Sequence, residues 1–145
     1  MHLTYLPAAP EDAAQIFALC RDLVMTYEDP MHTDISRALN WCRRKIQTGI
    51  DQYTRVLADG EVAAYYRFVP EDGGMELDDV YVLPPFRGRG IGTAIVEKCC
   101  RQTEGPIFLC VFKENTGAIR LYRRMGFEIA EEIGATRCIM RREVL

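Results

Sequence analysis

The stretch Val80-Tyr81-Val82-Leu83-Pro84-Pro85-Phe86-Arg87-Gly88-Arg89-Gly90-Ile91-Gly92 constrains this chain more than any other. It reads as a strand, a short loop, and three glycines at alternate positions where a helix begins. Glycines there let the backbone approach a ligand without interference from Cβ. The first amides of a helix lack partners within it, and the dipole favours negative charge at that end. Arg87 and Arg89 add positive charge. Together these features make a cradle for a pyrophosphate-like ligand. The same run also suits a plain tight turn from strand to helix. It is not a Walker loop, since no Gly-Lys-Ser/Thr follows, and its glycines lack the dinucleotide-binding spacing.

The chain's 145 residues suit a single domain, 1–145, with its own core. With 48% hydrophobic and 27% charged residues it reads as soluble and globular. A net charge of −3 argues against a general nucleic-acid binder. Six cysteines without a Cys-x-x-Cys pair, and only two histidines, argue against a zinc site. Most of those cysteines lie in apolar stretches, which predicts reduced, packed thiols in a cytoplasmic protein. The beginning of the chain lacks a basic-then-apolar signal, and no apolar run is long enough for a membrane span.

Periodicity orders the rest. Leu3 to Leu6 reads as a short edge strand. Pro10, Glu11 and Asp12 mark a helix start, followed at helical spacing by Ala13, Ile16, Phe17, Cys20, Leu23 and Val24. A second helix starts at Asp34 and stops at Gly49, with Trp41 expected in the core. Tyr53–Ala58 and Glu61–Val69 flank Asp59-Gly60, a strong hairpin signal. After a turn at Pro70–Gly74, Met75–Leu83 forms the next strand. A helix covers Gly90–Gln102, and Ile107–Phe112, a continuous apolar run, reads as a buried central strand. Asn115–Met125 is helical and ends at Gly126; Phe127–Glu132 and Arg137–Val144 close the chain as strands. The predicted fold class is α/β, or α+β with a mixed sheet, in the order β-α-α-β-β-β-α-β-α-β-β. Helices lie on both sides, without the alternation of a doubly wound fold.

On these residues the chain resembles the GNAT superfamily of acyl-CoA-dependent N-acyltransferases. Arg87-Gly88-Arg89-Gly90-Ile91-Gly92, directly after Val80-Tyr81-Val82, is similar to the family's Arg/Gln-x-x-Gly-x-Gly/Ala signature. Asn115, Ala118, Tyr122, Gly126 and Phe127 are similar to its Asn-x-x-Ala-x-x-x-Tyr-x-x-x-Gly-Phe pattern. The likeness covers nearly the whole chain and is strongest from Glu76 to Phe127. It implies splayed central strands that admit coenzyme A, with acetyl-CoA as acyl donor and no metal. Backbone amides from Arg87 to Gly92, including Gly88, Arg89, Gly90 and Ile91, would hold the pyrophosphate. Val80 and Val82 would pair with the pantetheine arm, and a strand amide near Tyr81 would polarise the thioester carbonyl. Asn115 would bond the pantetheine or hold the loop. Tyr122 would protonate the leaving thiolate.

The implied reaction is attack of a primary amine on a thioester through a tetrahedral oxyanion. An alkylamine has a pKa near ~10.4, so a base must take its proton at neutral pH. Glu76, Asp78 and Asp79 lead into the loop. Period-two alternation puts Glu76 and Asp78 on one face and Asp79 on the other, unless a bulge intervenes. The resemblance favours Glu76 as base, with Asp79 as the alternative; all three acids also suit a cationic substrate.

Other readings stand beside these. Tyr122 fits a core stripe with Ala118 and Met125, and Asn115 fits a helix N-cap. Arg120, Arg123 and Arg124 fit a solvated face or contact with the adenosine 3′-phosphate. Glu28, Asp29, His32 and Asp34 fit either an acceptor-site wall or a polar connection. At the level of function, the alternative to an N-acetyltransferase is a non-catalytic acyl-CoA-binding module. The expected partner is a small-molecule or peptide amine, with no nucleic acid and no membrane. Family members are often homodimers, and no patch in this sequence decides the point.

Overall fold

The computed structural model describes residues 1–143; Val144, the expected end of the last strand, and Leu145 lie outside the described residues. In chain order the elements are β1 (Leu3–Pro7), α1 (Ala13–Tyr27), α2 (Ile35–Thr48), β2 (Tyr53–Ala58), β3 (Glu61–Glu71) and β4 (Gly74–Val82). They continue with α3 (Ile91–Arg101), β5 (Ile107–Phe112), α4 (Thr116–Arg124), β6 (Phe127–Ile133) and β7 (Arg137–Arg142). The order matches the expected one. Short 3-10 turns at Pro10–Asp12 and Ile50–Gln52 lead into α1 and β2, and Pro84–Phe86 forms a third ahead of the glycine loop.

Among the described residues the seven strands form one mixed sheet in the order β1-β2-β3-β4-β5-β7-β6. Every neighbouring pair is antiparallel except β4 and β5. The β2–β3 hairpin turns at Asp59 (φ 50°) and Gly60 (φ 89°), the two positive φ values that an Asp-Gly turn supplies. β3 runs longer than expected, to Glu71, so Pro70 belongs to it opposite Met75, and β4 starts and ends one residue earlier than expected.

Strand alternation sends side chains to two separate cores. Ala64 and Tyr66 pack with Ile91, Ile95, Val96 and Cys99 of α3 and with Ile119 and Tyr122 of α4. Tyr65 points the other way, with Ile16, Leu19, Cys20 and Val24 of α1 and Ile46 of α2. Each fully buried aliphatic side chain, such as Ile16 or Ile95, contributes roughly 1.5–3 kcal/mol.

Two expectations fail here. Trp41 is not in the core: it is 57% exposed, on the wall of the cavity between the central strands. The inward stripe of α2 is carried by Ile46, with Ile35, Leu39 and Cys42 packed beside it. Nor is β5 buried on both faces. Ile107, Leu109 and Val111 enter the α3/α4 core, whereas Cys110 is exposed. The apolar run hid this asymmetry because cysteine reads as a small hydrophobe.

Candidate active site

The central strands part company early. β4 and β5 pair only at Met75–Ile107 and Glu76–Phe108. Beyond those pairs a cavity of about 330 Å³ opens between the strands, lined by both of them and by α1, α2, α4 and Arg137 of β7. Two surface grooves elsewhere, of about 540 and 470 Å³, hold no comparable cluster of reactive groups.

The mouth of α3 has the geometry that its glycines foretell. Gly88 (φ 75°) and Gly90 (φ 80°) are left-handed, and Gly90 caps the helix without a side-chain bond to its first amides. Those amides remain available to an anion, as a phosphate cradle requires. The Arg87 Nε donates to the Val82 carbonyl at 3.0 Å, tying the loop to the end of β4. The Arg89 guanidinium lies over the Phe86 ring, 5.5 Å from its centroid.

β4 carries the acids, and a bulge decides where they point. Asp79 has φ 52°, and the β3–β4 register shifts between Tyr65 and Arg67. Leu77 therefore faces the α3/α4 core while Tyr81, four residues on, faces the α1/α2 core. Without the bulge both would share a face. Asp79 accordingly joins Asp78 instead of opposing it, and Lys45 of α2 bonds both carboxylates. Alternation did leave this outcome open, but nothing local in the sequence announced it.

The three acids have different surroundings. Asp79 is enclosed: its Oδ1 accepts from the Tyr81 hydroxyl at 2.9 Å, and its Oδ2 from Tyr53 and, at 3.3 Å, from Lys45. Burial alone would raise its pKa, but the Lys45 charge and the tyrosine hydroxyls outweigh that and hold it low. Asp78 goes the other way: burial and the neighbouring Asp79 charge push it up to about 7, against the pull of Lys45. Burial would lower the Lys45 pKa, yet the charges of Asp79 and Asp78 raise it. Glu76 accepts from Arg67 at 2.7 Å, and its side chain is more open than those of the two aspartates. Arg67 also reaches Asp78 at 3.4 Å.

Tyr122, on the buried side of α4, lines the same cavity and packs edge-on against Phe127. Burial first, then the charges of Asp78 and Asp79, lift its phenol well above the ordinary value, so the proton stays on oxygen. Asn115 accepts from the Ala118 amide at 3.3 Å as the N-cap of α4, and it too lines the cavity. The N-cap reading of Asn115 therefore holds, at a position on the cavity wall. Arg120, Arg123 and Arg124 are exposed. Cys20 and Cys42 meet at the α1/α2 side of the cavity, where the hydrogen bond to Cys20 pulls the Cys42 thiol down to about 7.

The polar segment between α1 and α2 is a clasp. Glu28 accepts from Thr136 and from Arg137, at 2.7 Å, and from Thr33 at 3.2 Å. It therefore binds this segment to β7. Burial would raise the Glu28 pKa, but those bonds hold it below the ordinary value. Asp29 pairs with His32 at the surface, and Asp34 caps α2 through the Arg37 amide.

The chain is similar to known proteins in sequence and in fold. Residues 16–127 match the model of the acetyltransferase (GNAT) family, which is most of the chain. The chain belongs to the GNAT family. An uncharacterized N-acetyltransferase of Methanocaldococcus jannaschii is 42% identical over 62 residues, 40% of this chain and 27% of that protein. Streptothricin acetyltransferase of Streptomyces lavendulae is 31% identical over 81 residues, 52% of this chain and 43% of that protein. The matches thus span less than half of either relative's length.

Solved GNAT structures show the same fold. PaiA N-acetyltransferase from Thermoplasma acidophilum, in complex with coenzyme A, superimposes with a TM-score of 0.73. It is 15% identical, with 99% of each chain covered. An acetyltransferase from Thermus thermophilus gives 0.73 at 21% identity, covering 99% of this chain and 98% of the other. Among the described residues no cluster of metal ligands occurs, and no helix is long and apolar enough to cross a membrane.

Proposed function

We propose that this chain is an N-acetyltransferase that moves an acetyl group from acetyl-CoA to a primary amine, by direct attack of the amine. The observation that carries the reading is the parting of β4 from β5 after Glu76–Phe108. It opens a cavity that holds Tyr122 and the β4 carboxylates, on the strand that runs into the glycine loop. A binding module needs only the loop. Carboxylates and a proton-bearing phenol in one cavity suit proton transfer.

The residues fit coenzyme A on two counts. The uncapped amides at the start of α3 suit a pyrophosphate, with Arg87, Gly88, Arg89, Gly90, Ile91 and Gly92 around it. The unpaired edge of β4 at Val80, Tyr81 and Val82 suits an extended amide-bearing arm. Acetyl-CoA supplies an activated acyl group whose carbonyl an amine can attack. The protein's part is to hold the two ends, keep the amine in its free-base form and give a proton to the departing sulfur. Tyr122 suits the last task, since its raised pKa keeps it protonated beside a thiol of ordinary pKa near ~8.5. A carboxylate of β4 suits the proton-accepting task.

Calorimetric titration with acetyl-CoA, with NAD and ATP as controls, tests the donor. Mass spectrometry of a panel of primary amines then tests transfer. Micromolar binding of acetyl-CoA alone, followed by a gain of one acetyl group on an amine, supports the reading. Binding without transfer to any amine would favour the acyl-CoA-binding module instead.

A further inference from the structure

We propose that the acceptor is an amino acid, an amine that also carries a carboxylate, and that Arg137 of β7 binds that carboxylate. This rests on the transferase reading above and names the class of amine that reading leaves open.

The cavity has two walls of opposite charge. Leu77 of β4, Leu109 and Val111 of β5 and Cys138 of β7 point into the α3/α4 core. Strand alternation therefore turns Glu76 and Asp78, Cys110 and Phe112, and Arg137 to the α1/α2 side, where all of them line the cavity. The acids stand on β4 and the arginine on β7, with β5 between them. Cys110 feels the charges of Arg137 and of the β4 acids alike. Neighbouring strands lie about 4.8 Å apart, so β4 and β7 are roughly 10 Å apart where the sheet is whole and further where β4 has left β5. Side chains reaching in from both walls leave a gap that suits a small molecule.

Arg137 is held still, with one end of its fork open. Its Nε and Nη2 donate to Oε2 of Glu28, at 3.2 and 2.7 Å. Its guanidinium lies over the Phe112 ring, 5.0 Å from the centroid, and Tyr27 stacks on that ring in turn. A guanidinium has five N–H donors. Glu28 takes two of them, and among the described residues nothing takes those of Nη1. The open end of the fork matches a carboxylate through two parallel bonds. Glu28 itself is withdrawn: its side chain is 3% exposed, against 35% for Arg137. A buried carboxylate destabilises a fold unless it is paired. Thr33, Thr136 and Arg137 satisfy this one, and it fixes the arginine in the cavity wall. Glu28 is thus a positioning residue.

The opposite wall suits a single ammonium. Lys45 and Arg67 already answer the three acids Glu76, Asp78 and Asp79, which leaves one negative charge there. A second ammonium on the acceptor would find no counter-charge on that wall. Coenzyme A, lying along β4, brings the thioester to the same side, so the acceptor's amine must approach β4. The rest of the acceptor then extends toward β7 and Arg137.

Matched pairs of an amino acid and its amide test this, across α-, β- and γ-amino acids with side chains of different size. At least one acid should be acetylated with kcat/KM on the order of 10²-fold above its amide. Arg137→Met should raise KM for that acid on the order of 10²-fold with little change in kcat, and should leave KM for the amide where it was. Arg137→Lys keeps the charge but not the fork, and should raise KM for the acid on the order of 10-fold. Because Arg137→Met strands a buried carboxylate, the double variant Glu28→Gln/Arg137→Met removes both charges and should show the same loss. Acetyl-CoA affinity by calorimetry checks that each variant keeps its fold. Glu28→Gln alone should raise KM for the acid and spare the amide, since it loosens the arginine without removing it.

Calorimetry on the enzyme saturated with coenzyme A gives a readout without turnover. The acid should bind on the order of 10²-fold more tightly than its amide, a difference that the double variant erases. Amides that serve as well as acids throughout the panel, or a loss that strikes acid and amide equally in the double variant, overturn the proposal and leave the transferase standing. Failure of every amine overturns both.

Discussion

The first residues of β4, Gly74 to Glu76, and its last, Asp79 to Val82, share β3 as one neighbour but not β5 as the other. The first part is zipped between β3 and β5, with Met75 and Glu76 opposite Ile107 and Phe108. The last part keeps β3 and loses β5, and a cavity takes the place of the missing ladder. Buried backbone groups need partners, so a strand edge left open beside a cavity suits the extended ligand proposed above. The left-handed residue Asp79 lies three residues beyond the end of the β5 ladder.

The largest effect is expected where the open part meets the glycine loop. Gly90 has empty space around the position of a Cβ, so Gly90→Asp meets no clash, although φ 80° strains any residue with a side chain. An aspartate is also a good N-cap. The fold should therefore persist with a modest loss, while a fixed negative charge occupies the phosphate cradle. Acetyl-CoA binding should weaken on the order of 10³-fold, or about 4 kcal/mol, by calorimetry. Unchanged affinity would break the assignment of the loop.

Next comes Tyr122→Phe. The ring stays packed against Phe127, and only the hydroxyl is lost. Turnover should fall on the order of 10²-fold with acetyl-CoA affinity retained. Equal turnover would make Tyr122 a packing residue and leave the cavity without a proton donor of this kind.

The closed part should fail differently. A Cβ on Gly74 would lie 2.3 Å from the Pro106 carbonyl oxygen and 3.1 Å from the Phe108 ring. Gly74→Ala must push β5 away at the point where the two strands are joined. We expect a loss of about 2–3 kcal/mol in denaturant unfolding, with no selective effect on phosphate binding. A neutral result would mean that the short ladder is dispensable.

The two parts of β4 were also unequally legible. Asp59-Gly60 announced its hairpin because few residues accept positive φ twice. The glycine loop and the Asn115-to-Phe127 pattern announced the family because each needs particular residues at particular spacings. The acid side had no such signature. A left-handed aspartate in mid-strand is set by tertiary contacts, here the hydroxyls of Tyr53 and Tyr81 and the ammonium of Lys45. Tyr53 lies 26 residues away and Lys45 34. Helical periodicity could put Lys45 on α2 but could not say which strand it would meet. Trp41 and Cys110 misled for a related reason: an apolar residue beside a cavity looks, in sequence, like one inside a core.

The smallest effect sharpens the contrast between the two aspartates, because their contributions to stability run in opposite directions with pH. Asp79 has a lowered pKa in the folded state, so its contribution is full above the ordinary carboxylate value of 3.8 and is lost as pH falls through its folded pKa. Asp78 has a raised one, about 7, so the folded state holds its proton longer than the unfolded state does. Its favourable contribution is full below 3.8, declines as pH rises, and is gone once pH passes about 7. Asp78→Asn keeps a neutral side chain throughout. Relative to wild type it should gain stability between pH 5 and 8, by about 1 kcal/mol, short of the ~1.4 kcal/mol per pH unit that one proton allows. Asp79→Asn should lose stability at pH 7, where it strips Lys45 of a buried partner. Denaturant midpoints at the two pH values check both signs, and parallel behaviour of the two variants would dissolve the distinction between a charged anchor and a carboxylate that changes state.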